Sequence, residues 1–404
     1  MDAGLYMKTW EEVKDAVGKR EIVQWGIGDF APYCLELLHR HILEESSDVA
    51  FFVSRDYKIT PFYQGKCVHN KDVLDRDKHF VIIGTLYYSD EIANELVCLG
   101  FIENLDFFKY QLLNEMSTVE SIELYKTKFG VNSNIRDRTD KLKSSVCRLS
   151  DLFAYTRWTT LKGNNEPLLN RKYWEHVYIT QVLFENGMLK ERKRGIGFAV
   201  GLERLPALFA KHGVEVIATD MDKDSNNAKG WIQSDQHSEG IIDNLFYSDI
   251  CKYSEFTKNV RYITLDMNNI PDTIRGFDFC WSSCAFEHLG SAQKGMDFII
   301  KSLDVLNPGG ISVHTTEFNL SSNETIDVPF NAIYGRHFFD NLRIEIERRG
   351  HVFEPVDYRL GDNPKEDDVQ YYNQPQKPHI KVSAYGTVFT SIGITIKKAK
   401  LKNR

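Results

Sequence analysis

The sequence predicts an α/β protein in which two doubly wound parallel sheets are joined by a helical region. Two stretches carry that expectation. Glu21-Ile-Val-Gln-Trp-Gly-Ile-Gly-Asp-Phe-Ala31 reads as an apolar strand, a G-x-G-x-x-A turn and the start of a helix. Gly195-Ile-Gly-Phe-Ala-Val-Gly201 repeats the strand and small-residue turn, and Asp220 closes the next apolar run, Val214-Glu-Val-Ile-Ala-Thr-Asp220. At such a turn the small residues let a ligand approach the backbone, and the carboxylate ending the second strand lies where ribose hydroxyls would sit. Both halves are therefore expected to be Rossmann-like, and no repeat of fixed period relates them.

The bulk numbers narrow the class. A chain of 404 residues suggests two domains, and 42% hydrophobic with 26% charged residues is an ordinary globular balance. The net charge of −7 argues against nucleic-acid binding, which needs a basic surface. The basic run Lys397-Lys-Ala-Lys-Leu-Lys-Asn-Arg404 reads as a solvated end. Seven scattered cysteines without a C-x-x-C pair suit a reducing compartment. No signal-peptide pattern is visible, and no apolar run approaches the ~18 residues of a membrane span. The expectation is a soluble cytoplasmic protein.

In order along the chain, the first strand and turn lead into a helix through Leu35-Glu-Leu-Leu-His-Arg. Further strands follow over 49–56 and 80–84, and a helix over 90–99. Alternating helices and continuous apolar strands mean a parallel sheet covered on both faces. With Trp25-Gly-Ile-Gly28, Gly65-Lys66 and Leu99-Gly-Phe101, this segment resembles the small Rossmann-like domain at the front of bacterial sugar-modifying enzymes. The resemblance implies a nucleotide or sugar ligand at the Gly26–Gly28 turn, where a helix N-terminus would receive a phosphate. A purely structural or substrate-orienting domain is the other reading.

From about 110 to 190 polar residues dominate, with helical spacing at Leu112, Met116, Val119 and Ile122, a break over 132–138, and an amphipathic helix over 173–184. The expected organisation is a small Rossmann-like domain over 1–109, a helical linker over 110–165 and a second domain over 166–404. The polar 110–150 region leaves homo-oligomerisation open.

In the second domain Leu265-Asp-Met-Asn268 falls in the loop after a third strand and Leu306-Asn-Pro-Gly-Gly310 forms a turn before a fifth. With Trp281-Ser-Ser-Cys-Ala-Phe-Glu-His-Leu-Gly-Ser291 and Val313-His-Thr-Thr-Glu-Phe-Asn-Leu320, this half resembles the class I S-adenosylmethionine (SAM)-dependent methyltransferases associated with bacterial surface-glycan assembly. The usual turn of that family is an acidic residue followed by G-x-G-x-G. Here Gly197, Ala199, Gly201 and Glu203 occupy those positions, so the acidic residue has become glycine and the last glycine glutamate. The resemblance implies SAM as cofactor, held at Gly197, Ala199 and Gly201, with Asp220 on the ribose, Asp266 on the adenine amine, Met267 against the ring and Ser283 at the rim. Glu203 is read either as a contact for the SAM ammonium or as an acidic first-turn residue favoured by the helix dipole.

The fourth strand stops at Ser282-Ser283, where the methyl group would be presented. Glu287 and His288 follow it, and Glu317 ends the fifth strand. Transfer to a hydroxyl needs the nucleophile aligned on the methyl and a base to take its proton, a role open to Glu287 or His288, with Glu317 facing the same pocket. These residues stand equally as loop anchors. His314 reads as a core histidine. No metal spacing links Gln236, His237, Glu287, His288 and Glu317, so no metal is expected. The function expected is methyl transfer from SAM to a sugar or glycan hydroxyl. The alternatives are an NAD-type oxidoreductase in the front domain and a non-catalytic SAM- or nucleotide-binding scaffold.

Overall fold

A computed structural model describes residues 9–28, 30–43, 47–85, 87–132, 142–148, 151, 157–161, 170–225, 237–328, 331–362, 364–371 and 379–400. The chain forms two compact units. One is Met1–Leu124 with Tyr371–Pro375 and Ser383–Val388, the other Tyr125–Gln370 with Gln376–Val382 and Phe389–Arg404.

The first unit begins with helix α1, Trp10–Val17, closed by a capping box in which Thr9 and Glu12 satisfy each other's backbone N–H. Strand β1, Glu21–Trp25, follows, then helix α2, Ala31–His41. Next come β2, Phe52–Val53, the hairpin strands β3, Phe62–Tyr63, and β4, Lys66–His69, and strand β5, His79–Ile83. Helix α3, Ser89–Cys98, and strand β6, Phe107–Lys109, complete the sheet, ordered β3–β4–β2–β1–β5–β6. All pairs are parallel except the β3–β4 hairpin. The strand expected over 49–56 is shorter because the Asp56 carbonyl accepts the Ile59 and Thr60 N–H groups at 2.9 Å and turns the chain away. Buried Gln24 donates from Nε2 to the carbonyls of Gly26 and Ala31, tying the turn to the start of α2.

Helix α4, Tyr110–Phe129, spans the helical spacing at 112–122 and carries the chain from one unit to the next. Residues 110–124 of the expected linker thus count with the first unit, and its later part with the second. The break expected over 132–138 lies outside the described residues from 133 on.

The second unit contains helix α5, Arg171–Glu185, then β7, Arg194–Phe198, helix α6, Leu205–Lys211, and β8, Glu215–Asp220. Helix α7, Tyr253–Asn259, leads into β9, Val260–Thr264, and β10, Phe277–Ser283, is followed by helix α8, Ala292–Ser302. Strand β11, Leu306–Asn319, the hairpin β12, Ile326–Val328, and β13, Asn331–Ile333, helix α9, Arg336–Arg348, β14, Val352–Phe353, and β15, Thr387–Lys397, follow. The sheet runs β9–β8–β7–β10–β11–β15, parallel as far as β11, with β15 antiparallel against it and β14 antiparallel on β15. The sheet is thus ordered third, second, first, fourth, fifth, with a reversed strand beside the fifth. It places the switch point between β7 and β10, where ligands of such sheets bind at the carboxyl ends.

Two details differ from expectation. The Asn307–Gly310 turn lies inside β11 as a bulge, because Phe277 pairs with Leu306 but Phe279 already pairs with Ile311. Glycines 195 and 197 are fixed by packing across the sheet. A Cβ on Gly195 would stand 2.4 Å from the Phe279 ring, and one on Gly197 2.3 Å from the Trp281 indole. Both aromatics are fully buried and pack edge-on against Phe209 of α6.

Candidate active site

The carboxyl edge of the second sheet carries two groups of polar side chains. The first surrounds the turn after β7. Ala199 and Gly201 both adopt φ of 49°, a left-handed conformation that costs an alanine more than a glycine, and the strand ends there. Asp220, at the tip of β8, accepts the Gly201 N–H at 3.0 Å through Oδ2 and the Met221 N–H at 2.8 Å through Oδ1. His237 Nε2 donates to the Met221 carbonyl and stands 3.7 Å from Oδ1, while its Nδ1 accepts the Glu239 N–H. Burial lifts the Asp220 pKa above the usual carboxylate range, against the pull of His237 and the two N–H groups. No Lys or Arg among the described residues pairs with it, so it retains acceptor capacity for further hydroxyl donors.

Glu203, at the entry to α6, is buried and accepts the Trp281 indole N–H at 3.0 Å. Burial pushes its carboxyl well above the normal range, opposed by the indole and reinforced by Asp220. Gly197 is the strand residue filled by that same indole. Asp266 is exposed after β9, its oxygens taken by the Asn268 N–H and the Asn269 side-chain amide, while Met267 is buried beside it.

The second group lies where β10 and β11 end and β15 begins, against α5. Glu175, fully buried on α5, accepts from Ser283 Oγ at 3.0 Å, Cys284 Sγ at 3.1 Å, Thr315 Oγ1 at 3.1 Å and Ser391 Oγ at 2.5 Å. Burial alone would raise its pKa, but Lys172, Arg171 and these donors outweigh it and hold the carboxyl at about 2. Arg171 donates from Nη2 to Glu317 Oε1 at 2.6 Å, and Asn331 Nδ2 donates to Glu317 Oε2 at 2.9 Å. Despite burial, Arg171 and Lys172 keep Glu317 below the usual range. Glu287 is buried, its Oε2 accepting from Thr316 Oγ1 at 2.9 Å, and burial raises its pKa against the opposing charge of His288.

Of the residues singled out in the sequence, Ala199, Gly201, Glu203 and Asp220 come together, as do Ser283, Glu287 and Glu317, and His288 is half-buried beside Glu287. Asp266 and Met267 sit on the loop after β9. His314 is buried with Ser282 on Nδ1 and Ser312 on Nε2, and burial takes its pKa down to about 3. Gln236 lies outside the described residues. Sequence reasoning missed Arg171, Lys172, Glu175 and Asn331. A signal was present for the first three, charged residues near the start of a helix whose later positions are mostly apolar. Asn331 left none.

The first unit has its own cleft of about 640 Å³ at the carboxyl ends of β1, β2 and β5, lined by Gly26, Gly28, Phe30, Asp56, Tyr87 and Tyr88 among others. Among the described residues no helix is long and apolar enough to cross a membrane.

No protein-family model matches the chain, and no curated protein does. Solved structures similar to it include the magnesium protoporphyrin IX methyltransferase of Synechocystis PCC 6803 with bound S-adenosylhomocysteine. It is 9% identical over 62% of this chain and 97% of its own, with a TM-score of 0.34. The 1,6-didemethyltoxoflavin-N1-methyltransferase of Burkholderia thailandensis, with bound 1,6-didemethyltoxoflavin and S-adenosylhomocysteine, is 11% identical over 62% and 87%, with a TM-score of 0.34. A SAM-dependent methyltransferase of Clostridium acetobutylicum is 10% identical over 61% and 97%, with a TM-score of 0.32.

Proposed function

We propose that the second unit is a SAM-dependent methyltransferase acting on a hydroxyl of a sugar or glycan precursor. One observation carries this reading: Asp220 ends β8 with its carboxylate bonded to the left-handed turn after β7, at the switch point of a methyltransferase-ordered sheet. The residues fit the group. Asp220 would take the ribose hydroxyls, the Ala199–Gly201 turn would admit the methionine end, Glu203 would meet its ammonium, and Met267 and Asp266 would serve the adenine.

SAM supplies an activated methyl on a sulfonium. The chain's part is to align the acceptor and take its proton. Glu287 would receive the proton of the acceptor hydroxyl that SAM, when bound, would methylate. A carboxylate displaced toward neutrality is the better acceptor for this step. Glu317, neutralised by Arg171, orients the groups around it, and Ser283 is held by Glu175 at the rim. The cleft at Gly26–Gly28 is assigned a nucleotide or sugar ligand.

Calorimetric titration with SAM and S-adenosylhomocysteine, wild type beside Asp220→Ala, tests the reading. Binding to the wild type lost in the variant supports it. Absence of wild-type binding ends it, and binding without turnover on any hydroxylated acceptor favours a scaffold.

A further inference from the structure

Among the described residues, three buried polar atoms without a hydrogen-bond partner belong to side chains gathered about the Glu317 carboxylate: Arg171 Nε, Glu287 Oε1 and Asn331 Oδ1. Arg171 and Asn331 each hold one oxygen of Glu317, and Glu287 is close enough for the two carboxylates to repel. An unpaired buried polar atom costs on the order of 1–3 kcal/mol, so a cluster of them points to partners that arrive with a ligand. We propose that these atoms recognise the methyl acceptor, and that they take an uncharged vicinal diol. This rests on the methyltransferase reading of the same edge.

The chemistry follows from counting donors. Arg171 Nε offers one N–H and needs an oxygen. Asn331 Oδ1 needs a donor, since its amide nitrogen is committed to Glu317. Glu287 Oε1 needs a donor that can also surrender its proton. One hydroxyl accepts from Arg171 while donating to Asn331, and its neighbour donates to Glu287. Adjacent hydroxyls therefore offer the donors and the acceptor that the three atoms lack. An anionic group has no place here. Arg171 and Lys172 are matched by Glu175 and Glu317, leaving no surplus positive charge to offset another buried anion.

The probes are cis-1,2-cyclohexanediol, cyclohexanol and cyclohexanecarboxylate. Binding is read by ligand-observed saturation-transfer NMR with S-adenosylhomocysteine present and absent. The variants are Arg171→Lys, which keeps the cation and removes the Nε–H, and Asn331→Leu. The diol binds the wild type and binds each folded variant about tenfold more weakly, one hydrogen bond's worth; the other two probes do not compete with it. Diol binding equal in all three proteins, preference for the carboxylate, or no binding of any probe overturns the inference. S-adenosylhomocysteine binding, measured separately by calorimetry, keeps the two readings distinguishable. Cofactor bound without diol sinks this inference alone, and diol bound without cofactor sinks the methyltransferase reading and the diol's role as methyl acceptor, leaving only diol recognition. Should Asn331→Leu fail to fold, Arg171→Lys decides.

Discussion

Arg171 Nη2 and Glu317 Oε1 lie 2.6 Å apart with both side chains more than nine-tenths buried, joining the first turn of α5 to the end of β11. A buried pair adds little over a well-packed apolar pair, but removing one member strands the other in a medium that cannot solvate it. Arg171→Met is therefore expected to destabilise the second unit by about 3–5 kcal/mol. Arg171→Met with Glu317→Leu should recover part of that loss. Urea unfolding of the three proteins checks it, and a double variant no more stable than Arg171→Met would contradict it.

Glu175 makes the same network sensitive to acid. Its folded pKa of about 2 lies below its ordinary 4.5, so between those values the unfolded chain binds more protons than the folded one. The stability that Glu175 contributes is complete above pH 4.5 and is lost as pH falls toward 2. The urea midpoint of the wild type should drop steeply across that window. Glu175→Gln should start lower and fall less, and parallel curves would remove Glu175 from the explanation.

Gly197→Ala places a methyl 2.3 Å from the Trp281 indole within a fully packed layer. Overpacking of this kind costs about 1–3 kcal/mol or more. The melting temperature should fall, and Trp281→Phe in the same chain should return part of it by freeing the space of the second ring.

Thiol accessibility gives an independent check on burial. Cys67 and Cys98 are exposed and should react quickly with an aromatic disulfide reagent at pH 8. Cys284 is half-buried, and burial next to Glu175 raises its thiol pKa well above normal, so it should lag. Fast labelling of Cys284 in mapped peptides would show that the β10 terminus is open.

The parallel sheets were legible because buried strands announce themselves as apolar runs, and the turns because small residues interrupt them. Asp220 could be picked out since the strand before it ends on a carboxylate. The Arg171–Glu175–Glu317 network could not. Its members lie 142 residues apart between Glu175 and Glu317, and their meeting depends on α5 packing across three strand ends. The glycines of β7 were legible as small residues but not for their reason, because Gly195 and Gly197 read alike whether a ligand or a neighbouring ring fills the missing side chain. Only the register of β7 against β10 shows that Phe279 and Trp281 do.

That register ties together positions that look independent in the chain. A lineage enlarging residue 197 must shrink residue 281 at nearly the same time, and losing the indole at 281 also removes the only described N–H donor of Glu203. Substitution at one site therefore reaches the turn, the opposite strand and a buried acid together. A designer wishing to place an acidic residue at 197 would have to rebuild all three, which makes this turn a difficult one to leave by single steps.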